Sequence, residues 1–294
     1  MPNVDLALNP LPWILDTSFH LDEPSLTAGF SAASACGFRA VQADVPEGFT
    51  VSEYQQLLDR FELAPAPGYF GVPITGTDST VVASARRHAQ ILAELGLTIT
   101  FLAADLVPER MSHPGRGFTS SEQTLSTGID RIQLVVETMV GEGVRPALHP
   151  HVGTWIETEA ECRAVLDTVD ADILAFGPDT GHLFWAGIDP ALLIADYLDR
   201  VTGVHLKDVS ASAVRQAQAA DADYWQATQQ QHVWTEPGRG NIDLDACLAL
   251  LATAENLKWC VIEVDVPNIG TAEQSTQHTA DWIRDQPGLA GGLR

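Results

Sequence analysis

Cysteine is scarce in this chain, and the four present, Cys36, Cys162, Cys247 and Cys260, stand far apart with no CxxC pair. That spacing excludes a disulfide framework and a Cys-rich zinc site, and lone thiols fit a reducing compartment. Basic residues are scarce too: Lys and Arg number 16 against 39 Asp and Glu, a formal net charge of −23. A field of that sign repels phosphate backbones, so no nucleic-acid partner is expected. It also disfavours a multiply phosphorylated substrate unless a local basic pocket overrides it, and its plainest consequence is solubility. No stretch approaches about 18 uninterrupted apolar residues, so no membrane partner is expected. The opening "MPNVDLALNPLPW" lacks both a basic n-region and a long apolar h-region, and the expected location is the cytoplasm. Also missing is a Gly-rich turn after the first apolar run. "ALNPLPW" stands there instead, which argues against an open dinucleotide-binding sheet.

What is present is alternation. Eight short, mostly continuous apolar runs read as strands buried on both faces of a parallel sheet: "VDLAL", "FRAVQAD", "APAPGYFG", "LTITFLAA", "VRPALH", "DILAFGPD", "VTGVHLKD" and "WCVIEVD". Helical patterns fill the gaps. One ends on Gly96, and one opens on the capping-box-like Ser120-x-x-Gln123. The fold expected is α/β: one (β/α)8 TIM barrel over residues 1–294. Two connections exceed what a barrel needs. "DLVPERMSHPGRGFTS" follows the fourth strand, and an Ala/Gln-rich segment with an extra helix follows the seventh. Both fall on the face where barrels build sites, and 210–237 is expected to be a lid.

"PALHPHVGTWIET" ends the fifth strand on His149-Pro150-His151. Pro150 has no N–H and a fixed φ, so it suits a strand terminus that aims its neighbours. The sixth strand ends in "FGPDTGH", with Asp179 and His182. The seventh ends in "VHLKD", with His205, Lys207 and Asp208, and the eighth in "VIEVD", with Glu263 and Asp265. One buried His is usually hydrogen-bonded filler, whereas titratable groups ending four consecutive barrel strands converge on one mouth. His149, Asp179, His205 and Glu263 are therefore expected to bind a divalent cation. Mixed N/O ligation suits Mn²⁺ first, with Co²⁺, Mg²⁺ and Zn²⁺ as alternatives. Glu157 reads as a helix-start residue rather than a ligand.

"NPLPW", "LHPHVGTWIET", "PDTGHLFWAG", "VHLKD", "PGRGNID" and "VIEVD" together resemble the xylose-isomerase-like barrels grouped as sugar isomerases and epimerases, and within them the inosose dehydratase branch. The resemblance is strongest over 144–267. It implies metal ligation by Asp179, His205 and Glu263. It departs at the fifth strand, where epimerases of the group carry a glutamate and this chain carries His149. The implied chemistry is enolisation of an α-hydroxyketone in a small keto-sugar or keto-cyclitol. Glu263 is expected to act as ligand and base, with His151, His182 or Lys207 as the acid for a leaving hydroxyl. Lys207 reads equally as an ion-pair partner of Asp208. Trp13, Tyr69, Trp155, Phe184 and Trp185 are expected to wall the pocket, with Asn9 bonding hydroxyls and Arg239 bonding a hydroxyl or phosphate. Three functions are weighed. The leading one is a dehydratase-like lyase, with ketose isomerase or 3-epimerase as its variant. A DNA-repair nuclease is opposed by the charge. A non-catalytic barrel subunit is opposed by the intact ligand set. A homo-oligomer is left open.

Overall fold

The computed structural model describes residues 4–15, 21–73 and 75–294. Eleven strands occur among them: β1 (Asp5–Leu8), β2 (Ala40–Gln42), β3 (Ala64–Ala66), β4 (Tyr69–Val72), β5 (Ile99–Ala104), β6 (Arg145–Leu148), β7 (Ala175–Phe176), β8 (Gly203–Leu206), β9 (Asp208–Val209), β10 (Trp234–Thr235) and β11 (Trp259–Ile262). One parallel sheet runs β3-β2-β1-β11-β8 and another β4-β5-β6-β7. Parallel bridges Phe176↔Val201 and Asp179↔His205 join β7 to β8. The chain itself joins β3 to β4. The ring therefore closes with eight positions, all eight runs read from the sequence taking part. The third run is split at Pro67–Gly68, where a proline cannot donate to the ladder and a Cβ on Gly68 would meet the Ala43 carbonyl at 2.5 Å.

Helices cover the outside, as parallel strands buried on both faces require. All six residues of β5 are buried. Most helices open on a Ser, Thr or Asp whose side chain accepts an early backbone N–H, as Thr50, Thr158 and Thr271 do. The helix Glu122–Gly141 opens one residue later than the sequence suggested. Ser121 is its cap, paired reciprocally with Thr124. Ser120 is occupied elsewhere, donating its hydroxyl to Glu161 at 2.7 Å.

The segment after β9 holds two helices rather than one, Ala211–Ala219 and Tyr224–Gln229. It returns as β10, antiparallel to β9. The long connection after β5 is stapled to the loop after β6. Val107 N–H donates to Gly153 O at 2.8 Å. Glu157 is not the helix-start residue expected. Thr158 caps that helix, while the buried Glu157 carboxylate accepts from the N–H groups of Gly153, Gly115 and Gly117 at 2.8, 3.0 and 2.8 Å. Arg110, also buried, forks onto Glu161 at 2.9 and 2.6 Å and lies 3.8 Å from Glu157. No helix among the described residues is long and apolar enough to cross a membrane.

Removing a single partner from a buried ion pair strands the other charge. Arg110→Met is therefore expected to lower unfolding free energy by roughly 3–5 kcal/mol in urea denaturation. A loss below about 1 kcal/mol, the value of an exposed pair, would show that the staple is dispensable.

Candidate active site

Alternate residues of a strand share a face. The inside of the barrel is floored by Ala7, Ala40, Ala66, Phe101 and Val261, with Ala147 and Ala175 beside them. Phe101 fills the axis. A Cβ on Gly177 or Gly203 would come within 2.9 Å of its ring, so those positions tolerate nothing larger. Two residues further along, the same face carries Asn9, Gln42, His149, His205 and Glu263. Two further again it carries Asp44, Asp105, His151, Asp179, Lys207 and Asp265. An apolar floor thus gives way to a polar mouth, where a cavity of about 730 Å³ opens.

Lys207 is enclosed among these groups and is 1% exposed. Its Nζ is ion-paired to Glu263 Oε1, lies 2.6 Å from Asp265 Oδ1 and 3.5 Å from Asp179 Oδ2, and sits 4.6 Å from the centre of the Trp234 ring. Burial works against its charge, but Asp179, Asp265 and Glu263 outweigh burial and hold its pKa well above the ordinary lysine value. Burial likewise pushes Asp179 and Asp265 up, Lys207 pulling them back and Glu263 adding to the rise.

His149, Asp179 and His205, from the ends of β6, β7 and β8, bring ligand atoms within 4.8 Å of one another. His149 Nδ1 meets the Gly177 carbonyl at 3.1 Å, which fixes its donor there and leaves Nε2 to face Asp179 at 3.9 Å. Burial drives His149 and His205 well below the usual imidazole range, so both are neutral, the form that binds metal. Asp179 Oδ2 and both ring nitrogens of His205 are buried without a hydrogen-bond partner. Buried polar atoms are ordinarily satisfied, and a divalent cation here would engage Asp179 Oδ2 and the unprotonated His205 nitrogen. Glu263 adjoins the group, its Oε2 3.3 Å from His205 Nδ1, while Asn9 Nδ2 donates to that oxygen at 2.5 Å.

The cavity is lined by Asn9, Tyr69, His149, His151, His205 and Glu263, all expected there, and by Gln42, Asp44, Asp105, Tyr224 and Asp265, which had been given no role. The pleat period from the alanine floor leads to four of these five. Only Tyr224, inside the insertion, has no such signal. Its ring stacks on Trp185 at 5.2 Å and its hydroxyl donates to Asp265 at 3.3 Å. Trp185 therefore backs the wall instead of forming it. Four other expected contacts lie outside the cavity. Trp13 covers Gly29 and donates to Glu273, Trp155 packs on Gly128, and Arg239 is exposed. Phe184 packs against the apolar core. His182 is buried behind the lining, its ring 3.6 Å from that of His151 and its Nε2 3.1 Å from Lys207 Nζ. Lys207 does not pair with Asp208. That carboxylate accepts from the N–H groups of Val209, Gly238, Gly240 and Ile242 and holds the Pro237–Ile242 loop.

His151 differs from the donor expected. Burial lowers its pKa to about 4. Its Nδ1 bonds the Val152 carbonyl at 2.7 Å and so carries the proton. No described residue bonds Nε2, which therefore offers a lone pair: at rest His151 accepts a proton rather than giving one.

A family model described as xylose isomerase-like TIM barrel matches residues 30–286. An inosose dehydratase of Bacillus cereus is 25% identical, with 97% of this chain and 98% of the relative aligned. Among solved structures, an L-ribulose 3-epimerase superposes with a TM-score of 0.71 at 15% identity, covering 98% of this chain and 95% of that one. The IOLI protein with a zinc atom superposes with a TM-score of 0.67 at 14% identity, covering 99% of each. The relatives matched are enzymes, and the chain belongs to the xylose isomerase-like TIM barrel family.

Proposed function

We propose that this protein is a divalent-metal-dependent lyase that removes water from a keto-cyclitol or keto-sugar, the reaction type of an inosose dehydratase. The observation that carries the reading is the buried trio His149, Asp179 and His205, with its unpartnered acceptor atoms, beside a histidine poised as a base. The named dehydratase relative, aligned over nearly the whole chain, supports it. His149, Asp179 and His205 would hold the cation, with Glu263 as fourth ligand and Mn²⁺ as first choice for a mixed N/O set. The cation's chemistry there is Lewis-acid polarisation of a carbonyl and its neighbouring hydroxyl, which acidifies the adjacent C–H.

The chain's own groups carry the protons. Both Glu263 oxygens are engaged, one by Lys207 and one by Asn9, so the proton-abstracting role passes to His151. Its Nε2 takes the proton from carbon. The C–H electron pair passes reversibly into the carbonyl as an enolate, and then forms the new double bond as the β C–O bond breaks. Protonated His151 gives its proton to the departing oxygen, which leaves as water. One group serves both steps, so loss occurs on one face of the ring. Lys207 holds Asp265 and Glu263 in place and does not reach the cavity wall. The 210–237 insertion acts as a lid through Tyr224, excluding water as substrate binds.

Elemental analysis is expected to find about one divalent metal per chain, lost in Asp179→Asn. Full occupancy in that variant would remove Asp179 from the ligand set. For His151→Gln, incubation with inososes in D₂O is expected to show both deuterium exchange and water loss falling together, by about 10²–10⁴-fold. Exchange that survives while dehydration stops would make His151 the acid alone. Clean C3 epimerisation of a ketose by the unaltered protein, with no dehydrated inosose, would return the protein to the epimerases.

A further inference from the structure

The cavity has a second polar wall that the steps above do not use. The closed ring places β2 four positions from β7, across the barrel from Asp179. From β2 come Gln42 and Asp44, and from the end of β5 comes Asp105. Gln42 is 3% exposed. Its amide nitrogen is turned to the Asp44 carboxylate, because only N–H can face an anion, and its Oε1 is left buried without a partner. Asn9 repeats the arrangement. It is 3% exposed, its nitrogen goes to Glu263, and its Oδ1 is buried and unpartnered. Burial pushes Asp44 up to about 6 and raises Asp105. The Asp105 carboxylate lies over Gly71, where a Cβ would come within 2.5 Å of Oδ1. That strand position therefore has no side chain to compete with the carboxylate.

This wall is rich in acceptors: two carboxylates and two amide oxygens without partners. Each amide directs an N–H to a carboxylate, and among the described residues lining the cavity there is no Lys or Arg. A ligand that satisfies such a wall must donate hydrogen bonds and carry no negative charge on that side. We infer that Gln42, Asp44 and Asp105, with the Asn9 oxygen, form a subsite for the hydroxyls of an uncharged polyol, remote from the reacting carbon, and that they exclude phosphorylated substrates. The inference rests on the lyase reading for which end of the substrate reacts, and it narrows that reading to neutral polyhydroxy ketones.

Calorimetric titration with myo-inositol and, separately, with myo-inositol 1-phosphate tests this without turnover. The uncharged cyclitol is expected to bind and the ester to bind at least about tenfold more weakly, a buried acceptor facing an anion being left unpaired. Asp105→Asn and Gln42→Met are each expected to weaken the cyclitol by about tenfold while thermal melts stay near the parent's. Gly71→Ala, which crowds the Asp105 carboxylate without changing charge, is expected to weaken it too. Failure of myo-inositol to bind, ester binding as tight as the cyclitol's, or full affinity in both Asp105→Asn and Gln42→Met would each overturn the inference. Selective myo-inositol binding by a protein that dehydrates no inosose would remove the lyase reading and leave this subsite standing. Dehydration of an inosose together with equal binding of the ester would do the reverse.

Discussion

Lys207 is one of two lysines in the chain, and its buried ammonium is enclosed by Asp179, Glu263 and Asp265. Like charges at about 4 Å repel by roughly 4 kcal/mol at an effective dielectric near 20, so three carboxylates ending neighbouring strands would push the barrel mouth apart. The ammonium offsets that repulsion and is itself held charged by it. Thr180 fixes its backbone, donating to the Lys207 carbonyl at 2.7 Å and accepting its N–H at 3.0 Å. A surface pair of the same composition would contribute little. This one carries more because every partner is buried, and breaking it leaves uncompensated charge.

The cluster forms because the strands deliver it in phase. Small residues at the bottom of the barrel let one phenylalanine fill the axis, and that packing sets the level from which the pleat counts upward. The floor also shapes the site directly: the Phe101 ring lies 4.2 Å from that of His205 and 5.5 Å from that of His149. The two imidazole rings thus rest on an apolar face that helps keep them neutral. The loops are tied by backbone amides rather than by apolar packing. Asp208 collects four N–H groups, three of them in one loop, and Glu157 collects three across two loops.

All eight strands and the convergence of their ends were legible in the sequence, because a doubly covered parallel strand is a continuous apolar run and polar residues at its end stand out. His149, Asp179, His205 and Glu263 meet at one mouth for that reason. Trp13, Trp155 and Arg239 were misplaced because they lie beyond the strand ends, where helix packing and loop amides set direction and the two-residue period no longer applies. The opposite failure befell Gln42 and Asp44. Gln42 ends a short strand and Asp44 follows it, in a stretch with no metal-capable motif, so only counting from Ala40 finds them. Arg110 and Glu161 are separated by a helix and a strand, and nothing local marks them as a pair. Tyr224 reaches the cavity only through the fold of an insertion whose Ala/Gln-rich sequence carries little pattern.

The imidazole of His149 changes the charge balance as well as the chemistry. Lys207 offsets part of the negative charge of Asp179, Glu263 and Asp265, and His149 and His205 add none while neutral, so the acidic excess suits a cation. A glutamate at position 149 would add to that excess and place a second carboxylate in the cavity, the arrangement that two-faced proton transfer requires. With histidine there, no such carboxylate stands at the fifth strand end. The next inward residue along that chain, His151, lines the cavity and offers a free imidazole lone pair with no competing ion pair. On the lyase reading proposed above, a cation held by these groups and a base on one side suit taking a proton and returning it on the same face.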